Sequence, residues 1–239
     1  MVTLTIDGRQ FRAEEGQTIL EVARDNGIDI PALCYNEGVE PYGACRLCLV
    51  EISKNGQTRL VASCLYPVEE GLVVNTASER VLANRRMLVE LLLARCSRVK
   101  LIEDLARKLG VDKPSFRPEY LENEECILCG LCVRACREVV GTSAISLVNR
   151  GVNRQVAPPF LETAPDCIGC GSCAFVCPTN CIKMEDRDGT RVIHNWNVEF
   201  KLQKCKVCGN YFAPEKQLEY IRNKLNLPEG FFDTCPNCR

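Results

Sequence analysis

Apolar and polar residues alternate from Val2 to Ile6 and again from Gln10 to Ala13, with Asp7-Gly8 between them, and this predicts a β-hairpin. The period then changes. Thr18 with Glu21 three residues on forms a capping box, Ile19, Leu20, Val22 and Ala23 supply an apolar stripe, and Asn26-Gly27 stops the helix. Leu47–Ile52 and Arg59–Ala62 read as further strands around an Asn55-Gly56 turn. Strand, strand, helix, strands in that order predicts a β-grasp domain over residues 1–77. Helical spacing follows in residues 78–118. Val81, Leu82, Arg85, Leu88, Val89, Leu92 and Leu93 mark one face, and Leu101, Ile102, Leu105 and Leu109 a second helix. These helices are expected to pack neighbouring zones together, ahead of a linker marked by Pro114 and Pro118. From about Glu122 onward long apolar stretches are scarce and loops frequent, at Asn149–Gly151, Pro158-Pro159 and Arg187–Gly189. Residues 119–190 and 191–239 therefore need something besides apolar burial to hold them. The overall class is α+β.

Composition says what that something is. Cysteine accounts for 18 of 239 residues, most of them two or three residues from the next. Secreted domains use cysteine for disulfides and intracellular ones for thiolate ligation, and cysteines this close in sequence converge on a metal more readily than they bridge each other. No basic segment followed by an apolar one opens the chain. The longest apolar run, around Leu88–Ala94, is interrupted by Glu90 and too short to span a bilayer. A reducing, cytoplasmic setting is expected. Thirty-one acidic against 30 basic residues argues against a polyanion-binding surface, and one histidine leaves little room for imidazole chemistry.

Cys34, Cys45, Cys48 and Cys64 give C-x10-C-x2-C-x15-C. Four thiolates on a glycine-containing loop, Tyr42-Gly43-Ala44-Cys45, suit a 2Fe–2S cluster, whose irons each need two of them; a four-thiolate zinc site is the competing reading. Cys126, Cys129, Cys132 and Cys136 form C-x2-C-x2-C-x3-C, which Cys167, Cys170, Cys173 and Cys177 repeat, followed by Pro178. That is the signature of bacterial two-cluster ferredoxins, in which the fourth cysteine of each run crosses to the other 4Fe–4S cluster. One cubane would take Cys126, Cys129, Cys132 and Cys177, the other Cys136, Cys167, Cys170 and Cys173. Gly130, Gly169 and Gly171 would relieve crowding there. Cys205, Cys208, Cys235 and Cys238 form CxxC-x26-CxxC, with Gly209 after the first pair and Pro236 inside the second, as in zinc ribbons. Zinc is the expected occupant, a further iron–sulfur cluster the alternative, and Tyr211, Phe212, Leu218, Ile221 and Leu225 the expected small core beside it. Cys96 and Cys181 belong to no motif and read as small buried hydrophobes, and His194 as a loop residue.

Ile30-Pro31-Ala32-Leu33-Cys34, Gly43-Ala44-Cys45-Arg46-Leu47-Cys48 and Ala62-Ser63-Cys64 resemble the N-terminal ferredoxin domain shared by the large iron–sulfur subunit of complex I, the diaphorase iron–sulfur subunit of NAD-linked hydrogenases, and iron-only hydrogenases. The stretch from Val148 to Phe160 also resembles iron-only hydrogenases and their electron-bifurcating relatives, so the resemblance covers about residues 1–185. Two departures matter. Many relatives carry a His-x3-Cys-x2-Cys-x5-Cys site in the helical region, where this chain has Cys96 alone, so that cluster is expected to be absent. The large catalytic hydrogenase domain is also expected to be absent.

No dinucleotide fingerprint, phosphate loop or nucleophile–base pair is visible, so no catalytic residue is assigned. The resemblance implies an electron-relay subunit between a flavin- and NAD(P)-binding diaphorase subunit and a catalytic hydrogenase or, failing that, formate dehydrogenase subunit. No nucleic-acid or membrane partner is implied. A free-standing multi-cluster ferredoxin-like carrier and a zinc-ribbon iron–sulfur regulatory protein are the competing classes.

Overall fold

A computed structural model of the chain describes residues 1–112, 115–116 and 125–239. The linker prolines Pro114 and Pro118 and the expected boundary at 118/119 lie outside the described residues. The chain forms two compact units, Met1–Cys129 and Gly130–Arg239.

The first unit is built on a mixed five-stranded sheet. β1 (Val2–Ile6) and β2 (Arg9–Ala13) form the expected hairpin, α1 spans Ile19–Asp25, and β3 (Leu49–Lys54), β4 (Gln57–Ala62) and β5 (Leu72–Asn75) complete the sheet in the order β2-β1-β5-β3-β4. Asp7-Gly8 and Asn55-Gly56 all have positive φ, the type I′ geometry whose twist matches that of the strands it joins. Thr18 caps α1 with Glu21 reaching back, as the capping box requires. β5 is the strand that the alternation did not announce. It runs parallel to β1 (Leu4↔Leu72) and antiparallel to β3 (Ile52↔Val74), closing the sheet from its middle. Ile19, Leu20 and Val22 of α1 bury against Leu4, Ile6, Ile52, Leu72 and Val74, and Cys48 and Cys64 sit in the same core.

α2 (Glu79–Arg95), capped by Ser78, and α3 (Lys100–Lys108) belong to this unit. Val81, Arg85 and Val89 form the buried line of α2. In α3 the buried stripe is Ile102 and Ala106 with Leu105 and Leu109 beside it; Leu101, at its border, is exposed. This spacing of i, i+3, i+4 and i+7 explains why Leu101 falls outside the face assigned to it. The two helices pack Val89, Ala106 and their neighbours around Leu47 and Cys45, so they back the first cysteine loop directly.

The second unit starts with the one-turn helix α4 (Leu131–Arg134), which continues as a π-helical turn through Val140. A two-stranded ribbon, β6 (Ser146–Val148) with β7 (Gln155–Ala157), and a second one-turn helix, α5 (Ser172–Phe175), follow. β8 (Met184–Arg187), β9 (Thr190–Ile193), β10 (Val198–Lys204) and β11 (Tyr211–Pro214) form one antiparallel sheet in the order β11-β10-β9-β8, and α6 (Glu215–Leu225) lies beside β10. The sheet is therefore continuous from the segment after Cys177 into the four-cysteine tail. In that tail Leu218 is buried, Phe212 and Ile221 are half-buried, and Tyr211 and Leu225 are exposed. The exposed pair corrects the expected tail core. Tyr211 lies over Gly189, with Lys204 above its ring, instead of facing α6.

Candidate metal and cluster sites

Three groups of thiols can be followed within single units. In the first, Cys34, Cys48 and Cys64 are buried and Cys45 half-buried. The Sγ atoms of Cys48 and Cys64 are 3.3 Å apart, and the Cys45 backbone N–H donates to Cys34 Sγ at 3.4 Å. The four thiols thus act as two pairs. Hydrogen bonding with Cys34, assisted by backbone N–H groups of the loop, lowers the Cys45 pKa to about 6 against the opposing effect of burial, while Cys34 is raised. Cys64 likewise lowers Cys48 to about 7 and is itself raised. In each pair the hydrogen bond favours the thiolate form of one sulfur, the form in which sulfur binds metal.

The loop owes its shape to two features. Gly43 has φ +67°, a left-handed conformation that side chains other than glycine's rarely adopt, and a Cβ there would also push the Leu65 side chain aside. Arg85, 5% exposed, donates from Nε to Leu47 O (3.0 Å) and from Nη2 to Leu49 O (2.8 Å), clamping the backbone on both sides of Cys48. Burial lowers the Arg85 pKa and the nearby Cys48 sulfur opposes that shift.

The two cubane runs fall in both units. Cys126 and Cys129 close the first, where Arg95 Nε donates to Cys126 O at 2.8 Å. Cys132 and Cys136 open the second, together with Cys167, Cys170, Cys173 and Cys177. Within the second unit a cavity brings Cys136, from the first run, to the same wall as Cys167, Cys170 and Cys173, from the second. The rest of its lining is largely apolar, including Val140, Ala144, Ile145, Ile168, Ile193 and Trp196. Gly169 has φ +73°, and a Cβ there would strike the Phe200 ring at 2.6 Å. Burial pushes the Cys173 thiol up to about 11, with the Trp196 indole N–H, 3.4 Å from its sulfur, pulling the other way. Burial also raises Cys167. Arg191, held by Asp186 through two hydrogen bonds of 2.7 and 2.8 Å, donates to Gly169 O at 3.0 Å.

The third group is the tail. A register shift between Gln203 and Lys204 precedes the last β10–β11 pair, Lys204 with Tyr211, and the chain then turns into Cys205-Lys206-Val207-Cys208. Cys205, Cys208, Cys235 and Cys238 place their sulfurs all within 4.8 Å of one another, so these four cysteines can hold a metal ion. Cys208 and Cys235 are 3.8 Å apart, close to the edge of a tetrahedron of thiolates about 2.3 Å from a central ion. Backbone N–H groups of Cys208 and Cys235 lower the Cys205 thiol to about 6, and hydrogen bonding with Cys235 raises Cys238 to about 12.

Of the residues outside the motifs, Cys96 is fully buried beside Val99 and Ile102. Cys181 differs from its expected role: it is half-buried, with its Sγ 3.5 Å from that of Cys177, whose pKa it lowers to about 5. His194 is exposed and bonds Glu185 Oε1 at 3.2 Å. Sequence reasoning missed Trp196 and Arg191 as neighbours of the cysteines. It placed Arg85 on a helix face without a role, although a guanidinium among valines and leucines is itself a sign of a buried partner.

Residues 1–79 match the family described as 2Fe-2S iron-sulfur cluster binding domain, and residues 120–184 the 4Fe-4S dicluster domain. The chain is 34% identical over 211 residues to NADP-reducing hydrogenase subunit HndD of Solidesulfovibrio fructosivorans, across 76% of this chain and 36% of that one. It is also 34% identical over 204 residues to NADPH-Fe(3+) oxidoreductase subunit alpha of Geobacter sulfurreducens, across 75% of this chain and 24% of that protein. A chain of the solved NAD+-reducing [NiFe]-hydrogenase in the H2-reduced state matches at a TM-score of 0.59 and 34% identity, covering 66% of this chain and 75% of that one. The chain thus spans about a third or less of the curated relatives named and most of the solved one.

Proposed function

This chain belongs to the family of iron–sulfur proteins that join a 2Fe-2S domain to a 4Fe-4S dicluster domain, and from that premise we propose that it relays electrons inside an NAD(P)-linked oxidoreductase complex. Its partners in this reading are a flavin- and NAD(P)-binding diaphorase subunit and a catalytic subunit, of hydrogenase type before formate dehydrogenase type. A reducing, cytoplasmic setting is part of this reading, because it is where closely spaced cysteines serve as thiolate ligands. Among the described residues no helix is long and apolar enough to cross a membrane.

Cys34, Cys45, Cys48 and Cys64 would hold the 2Fe–2S cluster, and the pairing of the Cys34 thiol with Cys45 and of the Cys48 thiol with Cys64 suits two irons that each take two thiolates. Cys126, Cys129, Cys132 and Cys177 are proposed for one cubane from the motif. For the other, Cys136, Cys167, Cys170 and Cys173, the support is their common cavity, and it is the observation that carries the relay reading. A cysteine from one run among three from the other is what crossed ligation of two neighbouring clusters requires. Such clusters, when bound, supply one-electron carriers. The protein's part is to set their spacing, exclude water with apolar walls, and tune them through N–H donors and fixed charges. For the tail, zinc is favoured over a cluster: sulfurs within 4.8 Å leave room for one ion, whereas a cluster interposes several iron and sulfide atoms.

The test is reconstitution. Alone, the chain is expected not to oxidise NADH, hydrogen or formate. Added to diaphorase and catalytic subunits it should restore electron transfer between them. Cys48→Ser or Cys170→Ser should abolish that coupled activity while the diaphorase still reduces an artificial dye. Full coupled activity in both variants would rule the relay out.

A further inference from the structure

Trp196 is the only tryptophan in the chain. It ends a short 3-10 turn, His194–Trp196, between β9 and β10 and is 3% exposed. A buried indole N–H needs an acceptor, and this one points at Cys173 Sγ, 3.4 Å away. The turn cannot easily carry the ring elsewhere. His194 N–H donates to Lys183 O at 3.0 Å, Lys183 N–H to Asn195 Oδ1 at 2.7 Å, and Asn195 Nδ2 to Cys181 O at 3.1 Å. Asn197, with φ 49°, turns the chain straight into β10. The ring is thus fixed against the cavity that holds Cys136, Cys167, Cys170 and Cys173, from a position beyond the 4Fe-4S dicluster domain, which ends at residue 184.

We propose that Trp196 is a potential-setting residue for the cubane of Cys136, Cys167, Cys170 and Cys173, its indole N–H donating to the Cys173 sulfur and raising the midpoint potential of that cluster. The proposal rests on the ligand set given above. Reduction adds negative charge that spreads onto the ligating sulfurs, and a donor aimed at one of them stabilises the reduced form more than the oxidised one. Removing the donor therefore shifts the potential downward. The indole's apolar body has the second effect of keeping water off that face of the cavity.

A single tryptophan makes the test specific. Full-length chain is purified anaerobically from cells fed 15N-indole tryptophan, reduced, and examined by pulsed EPR. A 15N coupling on one cubane signal, and none on the 2Fe–2S signal, is expected. Absence of 15N coupling from both cubane signals overturns the proposal. Trp196→Phe, which keeps a ring but no donor, should lower the midpoint potential of the same cubane while the 2Fe–2S midpoint, read in the same titration, stays put. An unchanged cubane midpoint at full iron content also overturns it. Should Trp196→Phe lose the cubane, the isotope result on the native chain decides. Failure of the ligand set is separable: Cys170→Ser would then leave both cubane signals intact.

Discussion

A guanidinium and an indole do the closest work beside the cysteines. Arg85 satisfies two buried carbonyls, of Leu47 and Leu49, on either side of Cys48. Arg85→Met keeps the apolar stem but leaves both carbonyls buried and without their charged donor. The expected cost is about 3 kcal/mol of stability in the first unit. Anaerobic urea unfolding followed by the visible absorbance of the 2Fe–2S centre should show loss at lower urea, while Arg85→Lys should recover part of the difference. A midpoint equal to that of the unaltered chain would show that the carbonyls do not depend on Arg85. The cysteines themselves were legible from spacing, because ligation motifs are local in sequence. Arg85, Arg191, Trp196 and the Cys177–Cys181 contact were not, because each meets its partner through folding and leaves no spacing to read.

Among elements, those with a local code emerged from the sequence: the Asp7-Gly8 and Asn55-Gly56 hairpins and the Thr18–Glu21 capping box around α1. β5 did not, since four residues are too few to show a period and its pairing with β1 spans most of the domain. The tail core was misjudged for a related reason. The helical spacing of α6 was read correctly at Leu218, but the β11 side chains turn partly toward Gly189 and the β8–β9 turn. With so little apolar burial around β10, β11 and α6, metal at Cys205, Cys208, Cys235 and Cys238 should contribute much of the local stability. Cys235→Ser is expected to remove that metal and to speed amide hydrogen exchange across residues 198–239, leaving the 2Fe–2S signal unchanged. Exchange as slow as in the unaltered chain would show that the tail holds itself without the ion. Tyr220, whose hydroxyl donates to Val140 O at 2.9 Å, ties α6 to the turn that follows Cys136, so a loosened tail should also broaden the cubane signals.

At the scale of the whole molecule, the proposed relay is a succession of one-electron stations. Near-balanced charge, at 30 basic and 31 acidic residues, suits a subunit held by partners more than a carrier steered by its field. Occupation of the first twelve ligating cysteines by three clusters is open to one anaerobic reductive titration followed by EPR, with iron and zinc measured on the same sample. Roughly three electrons should be taken up per chain, with about ten irons and about one zinc, one 2Fe–2S signal and two mutually interacting cubane signals. About fourteen irons and no zinc would move the tail site to iron–sulfur and leave the relay standing. Fewer than about eight irons in fully loaded protein, or uptake of a single electron, would rule out the double cubane and with it the relay.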